Sequence, residues 1–246
     1  MLPKNGGTKK HIICERCPAR ESLLCSSMKG EDILALDEVA QRITVPDGAY
    51  LFNEEDPTDY VYNVRSGMAV LERFSTDGRR QIMAFLYGGD YVGLIPDEIS
   101  SVAARALGPL EACRWHIKDI DKLMVPYPEL AHRLRHIGMR VLATIMKQVF
   151  ILGCRNAQEK LAFFLIHMER RQRRVLGDTG VLKLPMTRID IADFLGIADE
   201  TVSRTFTQMR QQKLIELLEP NEVRILDHNR LEKLAEIEGG AMDVPK

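Results

Sequence analysis

The chain lacks several things, and each absence narrows the field. Among its 246 residues there is one tryptophan, and aromatic residues make up only 6%. No apolar run approaches the ~18 residues that a membrane-spanning helix needs, so a helical membrane protein is not expected. The opening MLPKNGGTKKHIICERC has no apolar core of signal-peptide length. A net charge of either sign is missing too. Lys and Arg number 34 against 35 Asp and Glu, so overall charge says nothing about a polyanionic partner. Five cysteines, an odd number in a leaderless chain, argue against a disulfide framework and for a reducing, cytoplasmic setting. Internal repeats and low-complexity tracts are absent. No Asp, Glu, His or Ser grouping has a catalytic spacing, so no enzyme is expected. What remains is a soluble chain, 45% hydrophobic, long enough for two domains with cores.

The most telling stretch is TRIDIADFLGIADETVSRTFTQMRQQKL, from Thr187 to Leu214. It reads as two helices broken by a tight turn at Gly196, with Ile189, Ala192, Phe194 and Leu195 on the apolar side of the first. Asp199 is the expected N-cap of the second, and Glu200 sits where the helix dipole favours a carboxylate. Val202, Phe206, Met209 and Leu214 should face inward. Glu200, Ser203, Arg204, Thr207 and Gln208 are then left outside, with Thr201 beside them. That face suits the major groove: Arg can bond a guanine edge twice, Glu can accept from cytosine, and Ser can serve base or phosphate. LIELLEP and NEVRIL follow as two short strands with a turn at Pro220-Asn221, then a helix from Asp227 to about Ile237. Helix, turn, helix and wing together read as a DNA-binding head.

Upstream, from about Ile43 to His116, short apolar or alternating runs are punctuated by PDG, SG, DG and GGD. Strands of that length and spacing predict an all-β sandwich or barrel, and Asp77-Gly78 predicts a hairpin. A short helix, stopped by Pro126 and Pro128, is followed by a long one from Glu129 to about Leu152. Leu130, Leu134, Ile137, Val141 and Ile145 form one apolar stripe on it; Leu142, Met146, Val149 and Phe150 begin another. A helix apolar on two sides must be covered on two sides. The β domain is one expected cover and a second copy of the chain is the other, with Leu134, Ile137, Val141 and Ile145 as the dimer seam. Asn156–Arg174 opens the C-terminal domain as another amphipathic helix. Residues 127–175 carry ten Lys or Arg and three acids, a local surplus that can strengthen phosphate contact or line a solvated face.

Cys14, Cys17 and Cys25 have the spacing C-x2-C-x7-C. Close thiolates on an arm suit a soft metal centre: zinc, copper(I) or an iron–sulfur cluster. Three thiolates need a fourth ligand to close a tetrahedral zinc site or a cubane, and Cys113 and Cys154 are the candidates. Arg16 and Arg20 can offset thiolate charge, and Pro18 shapes a turn. His11 near Cys14 could ligate a zinc ion, though a solvated role suits it better.

The cysteine arm, GGDYVG, the long helix, NAQEKLAFF and the ETVSR helix together resemble the Crp–Fnr regulators. Within them the chain is similar to the oxygen-sensing fumarate and nitrate reduction regulators of the α-proteobacterial type, with x7 between the second and third cysteines. The resemblance runs from about Ile12 to Ala235. It implies an α+β fold: a cysteine-bearing arm (1–30), a β-roll sensor domain of the cyclic-nucleotide-binding kind, a double-stranded β-helix (31–127), a dimerisation helix (128–154) and a winged helix-turn-helix (155–246). It also implies a 4Fe–4S cluster on Cys14, Cys17, Cys25 and Cys113, leaving Cys154 aside. The cluster would favour the DNA-binding homodimer until oxygen converts it. A site like TTGAT-N4-ATCAA would be read, and RNA polymerase met around Thr76, Asp77 and Gly78. Two departures matter. The Arg-Ser pair that holds cyclic AMP in nucleotide-binding relatives falls on Val102-Ala103, so cyclic AMP is not expected to bind. The long helix has no Asp or Glu between Glu129 and Glu159, where some oxygen sensors place a carboxylate against air-stable dimerisation. Rival readings are a regulator sensing thiol oxidation or zinc, and a ligand-binding β-roll that acts by interaction without reading DNA.

Overall fold

The computed structural model describes residues 17, 24–28, 30–93, 98–154 and 156–235, excepting the side chains of 147, 150 and 154. Cys14, His11, Arg16, Pro18 and Arg20, and the side chain of Cys154, therefore lie outside the described residues.

The punctuated apolar runs form eight strands: β1 Gln41–Val45, β2 Tyr50–Phe52, β3 Tyr60–Ser66, β4 Met68–Phe74, β5 Arg80–Tyr87, β6 Tyr91–Val92, β7 Ala103–Ala106 and β8 Leu110–His116. They build two four-stranded antiparallel sheets, ordered β1-β8-β3-β6 and β2-β7-β4-β5. Side chains alternate across a strand, so each sheet has two faces to satisfy. The facing sides share one apolar cluster that includes Val45, Phe52, Tyr62, Val64, Leu86 and Leu110. Gly93, at φ +106°, ends β6 where a Cβ would come within 2.8 Å of the Tyr60 carbonyl oxygen, a place only glycine fits.

The outer face of the first sheet carries Val61, Cys113 and Trp115. It is covered by a 3₁₀ turn (Leu24–Ser27) and by α1 (Asp32–Glu38), α2 (Ile117–Met124) and the start of α3 (Pro128–Cys154). Pro128 opens α3 at the one helical position where a missing N–H costs nothing. The single tryptophan is buried here, and its Nε1 donates to the Leu36 carbonyl at 3.0 Å, tying α1 to the sheet.

The outer face of the second sheet carries the head. Met68, Val70, Ile82, Phe85 and Tyr87 merge with the C-terminal core, and the Phe85 ring lies 5.9 Å from Phe164 and 5.2 Å from Phe194. That head comprises α4 (Ala157–Leu176), β9 (Leu182–Lys183), α5 (Arg188–Leu195), α6 (Asp199–Gln211), β10 (Ile215–Glu219), β11 (Glu222–Ile225) and α7 (His228–Leu234). Asn156 starts α4 through a capping box with Glu159. Strands β10, β11 and β9 make the wing sheet.

A charged cluster pins this packing. Glu72 on β4 is fully buried. It accepts from Arg105 Nε at 3.1 Å, Arg80 Nη1 at 3.3 Å and the Tyr50 hydroxyl at 3.1 Å. Arg80 then reaches across to α5, donating to Asp190 and Asp193 at 2.7 Å each. Burial alone would raise the Asp190 pKa, but hydrogen bonds from Thr187 and the Arg80 charge bring it below its ordinary value. A depressed carboxyl stabilises the fold above its unfolded pKa, and loses that effect as pH falls through the folded one. Arg80→Met leaves Glu72 and Asp190 with Arg105 as their one remaining cation among the described residues, beside the Tyr50 hydroxyl and Thr187. In urea unfolding at neutral pH it should cost about 3 kcal/mol, as expected when one side of a buried pair is removed. The Asp190 share of that deficit should shrink as pH falls from the ordinary carboxylate range, about 4, through the parent's lower folded pKa, where its own Asp190 is protonated. A variant as stable as the parent would mean that the cluster clamps nothing.

Candidate nucleic-acid interface and thiol-bearing face

Thr187 caps α5 in a box with Asp190, its hydroxyl facing the Asp190 N–H at 3.1 Å. Gly196 ends α5 in the left-handed region at φ +61°, and the chain turns into α6. The N-cap there is Ala198, which offers no side chain. Asp199, expected in that role, is instead the first helical residue, where its charge still meets the dipole. Ile189, expected inward, is 55% exposed, and Ile191 takes the buried place. On α6, Val202, Thr205, Phe206 and Met209 are buried. Glu200, Ser203, Arg204, Thr207 and Gln208 are exposed, and Thr201 is half-buried. Glu200, Ser203 and Arg204 stand at i, i+3 and i+4, on one face. Arg188, unremarked in the sequence, lies 3.5 Å over the Phe206 ring and joins the two helices.

The basic segment is largely spoken for within the chain. Arg170 pairs with Glu232 at 2.7 Å, Arg171 with Asp90, and Arg173 with Glu169 at 2.7 Å. Lys160 is buried, and its ammonium donates to the Leu152 and Leu195 carbonyls at 3.1 Å each. It thus ties the last turn of α3 to the last turn of α5. A lysine set directly against the apolar run LAFFLI was the available signal.

The thiols lie elsewhere, on the outer face of the first sheet. Cys25 and Cys113 are buried and Cys17 half-buried, and all three belong to one packed cluster with Leu24, Trp115, Leu130 and Ile137. Arg65 hydrogen-bonds Cys17, and its charge also lies beside Cys113. Burial pushes the Cys113 thiol up, more than Arg65 and Arg42 pull it down. Asn63, fully buried, is the cross-strand partner of Cys113, and its carboxamide makes no hydrogen bond among the described residues. Among the described residues no three His, Cys, Asp or Glu side chains are grouped to hold a metal ion.

On α3 the expected seam divides. Ile137 is only 4% exposed and Leu134 is partly buried, both on the chain's own thiol-bearing face. Val141 and Ile145 are exposed, together with Met139, Leu142, Met146 and Val149. The seam inferred from spacing alone ran one stripe through two environments, because the helix rises off the β domain after Ile137. Elsewhere, Ala103 is buried in β7 and Val102 packs on the inter-sheet cluster, with no cation or hydroxyl between them. Thr76, Asp77 and Gly78 are exposed at the tip of the β4–β5 hairpin, where Asp77 accepts from Arg79 Nε at 2.8 Å. Among the described residues no helix is long and apolar enough to cross a membrane.

Comparison with known proteins agrees with this architecture. Residues 42–127 match the model of the cyclic nucleotide-binding domain, and residues 159–234 match that of the Crp-like helix-turn-helix domain. The transcriptional activatory protein AadR of Rhodopseudomonas palustris is 36% identical over 90% of this chain and 93% of its own length. The transcriptional activator protein Anr of Pseudomonas protegens is 34% identical over 94% of each. The solved structure of FixK2 from Bradyrhizobium japonicum superposes with a TM-score of 0.74 at 30% identity, over 80% of this chain and 97% of that one.

Proposed function

Since the chain belongs to the Crp–Fnr family of DNA-binding transcription regulators, and so is not an enzyme, we propose that it is an oxygen- or redox-responsive homodimer carrying a 4Fe–4S cluster on Cys14, Cys17, Cys25 and Cys113. The observation that carries this reading is the gathering of Cys17, Cys25 and Cys113 on one face of the β-roll. Soft thiolates are the donors such a cluster takes. Arg65 and Arg42 supply positive charge beside Cys113, which would offset the negative charge of a thiolate-bound cluster. When bound, the cluster supplies a redox-active, oxygen-labile centre. Cys113 stands on a rigid strand, while Cys17 and Cys25 come from the arm whose 3₁₀ turn rests on α3. Occupancy at the thiols is thereby read by α3, which presents its exposed stripe to a second copy of the chain. Glu200, Thr201, Ser203 and Arg204 read a TTGAT-N4-ATCAA-like palindrome. The hairpin tip at Thr76, Asp77 and Gly78 meets RNA polymerase, and the activator roles of the relatives support activation. Val102 and Ala103 offer nothing to a cyclic nucleotide's phosphate, so cyclic AMP plays no part. The protein works in the cytoplasm.

Anaerobic iron and sulfide analysis tests the cluster. About four irons per chain are expected, lost in Cys113→Ser and retained in Cys154→Ser. A colourless protein with one zinc would replace the reading with zinc sensing.

Dimerisation has its own test in sedimentation. Ile145→Glu places a charge on the exposed stripe and should give monomers with an unchanged melting temperature. Ile137→Glu buries its charge inside one chain, and should lower stability by several kcal/mol before it affects association. An Ile145→Glu dimer would place the seam elsewhere.

For DNA reading, Arg204→Ala should weaken the consensus site by about 1–3 kcal/mol per half-site. A two-fold dimer feels the loss twice. Affinity for random DNA should hardly move. Equal weakening of both DNAs would make Arg204 a phosphate contact.

A further inference from the structure

We propose that Asn63 is a positioning residue for the sulfur-bound centre, its carboxamide donating a hydrogen bond to the Cys113 thiolate and so setting how tightly the centre is held and at what potential it is reduced. The inference rests on the cluster reading above.

Asn63 sits mid-strand on β3, directly opposite Cys113 on β8 and Tyr91 on β6. Side chains directly opposed across antiparallel strands have Cβ atoms roughly 4.5–5.5 Å apart, within reach of an amide and a sulfur. The amide has no exposed surface, and among the described residues neither Nδ2 nor Oδ1 has a hydrogen-bond partner. A buried amide without partners is a net cost to the fold, and buried polar groups are rarely left so. Packing gives no reason for it. Val61, two residues earlier on the same face, is a plain buried hydrophobe in the same cluster.

The chemistry of sulfur supplies a reason. A thiol is a weak acceptor, so the amide stays idle while Cys113 is protonated. A metal-bound thiolate is charged and accepts well. The donor is therefore idle in the empty protein and engaged in the loaded one. Arg65, two residues on, already serves Cys17, so the two strand residues divide the arm thiol and the roll thiol between them. A hydrogen bond to a ligand sulfur stabilises the more negative, reduced centre most, and raises its potential.

The experiment compares parent, Asn63→Leu and Asn63→Ser as full-length protein, empty and after anaerobic reconstitution with iron and sulfide. Empty Asn63→Leu should melt higher than the empty parent, because an unsatisfied amide is gone. Reconstituted Asn63→Leu should keep its iron content but lose it to a chelator about tenfold faster, the usual scale for removing a partner behind a ligand. Its midpoint potential should fall, and its iron–sulfur stretching bands should shift. Asn63→Ser keeps a short donor and should lie between the two; it also carries the test if the Leu variant does not fold. Loaded variants that match the parent in potential, bands and chelation rate would overturn the role of Asn63 and leave the cluster standing. A parent that takes up no iron would overturn the cluster reading, and this assignment with it.

Discussion

The constraint on which the rest of the molecule depends is the length of α3 relative to the surface available to cover it. Its 27 residues make a rod of roughly 40 Å, longer than the β domain beneath. Leu130 and Ile137 are spent on the thiol-bearing face, where the arm's 3₁₀ turn also rests. Beyond Ile137 the helix is divided: Thr144 and Gln148 line a cavity with Phe85 and Phe163, and Ile151 is buried, while Met139, Val141, Leu142, Ile145, Met146 and Val149 stand exposed. An amphipathic helix that leaves such a stripe open is incomplete alone. At its far end, Leu152 meets the head: its carbonyl takes Lys160, and a Cβ at Gly196 would lie 3.3 Å from its side chain. One helix thus touches the sulfur-bearing core, the open stripe and the helix-turn-helix.

The head is oriented by charge more than by oil. Its apolar contact with the β2-β7-β4-β5 sheet is broad, with Phe85 between Phe164 and Phe194, and rings can slide over one another at small cost. Arg80 cannot. It must meet Glu72 on one side and Asp190 with Asp193 on the other, and buried ion pairs of this kind add less to net stability than to geometry. Asp190 also belongs to the capping box of α5. The carboxylate that starts the first helix of the reading pair is therefore the one that docks the pair on the sensor domain.

Much of this was legible in residues. Gly196, the alternation from Ile43 to His116 and the Asn156 start of α4 each follow from local rules, because turn sterics, pleat and caps act over a few residues. Cys113 stood beside Cys154 as a candidate fourth thiol, and only family resemblance chose between them; its proximity to Cys17 is a contact between an arm and a strand far along the chain. The missed features share one cause. Asp199 looks like an N-cap until Ala198 is seen to hold the extended backbone. Arg170, Arg171 and Arg173 suit a phosphate-facing patch or a solvated face equally until their partners are seen: Glu232 and Asp90 from far along the chain, and Glu169 one turn back on the same helix. Sequence spacing reports which face of a helix a residue occupies. It does not report what that face meets, and so Leu134 and Ile137 were assigned to a seam that begins further along.

The open stripe bears on how such a molecule can be controlled. No Asp or Glu lies between Glu129 and Glu159, while Arg133, Arg135, Arg140 and Lys147 do, so any like-charge opposition to a second copy comes from cations and not from carboxylates. Were a dimer to form over Val141, Leu142, Ile145 and Val149, its association would draw on the apolar area of that exposed stripe. A change in the sulfur-bearing core would reach the head along α3. The last turn of α3 meets Lys160 through the Leu152 carbonyl, while Arg80 holds α5 to the sheet from the other side. The two anchors act on opposite ends of the same short helix, Arg80 through Asp190 near its start and Lys160 through the Leu195 carbonyl at its end. A shift that strained one against the other would act on α5 and, through the turn at Gly196, on α6; coupling of about 1–3 kcal/mol is usual for linked sites.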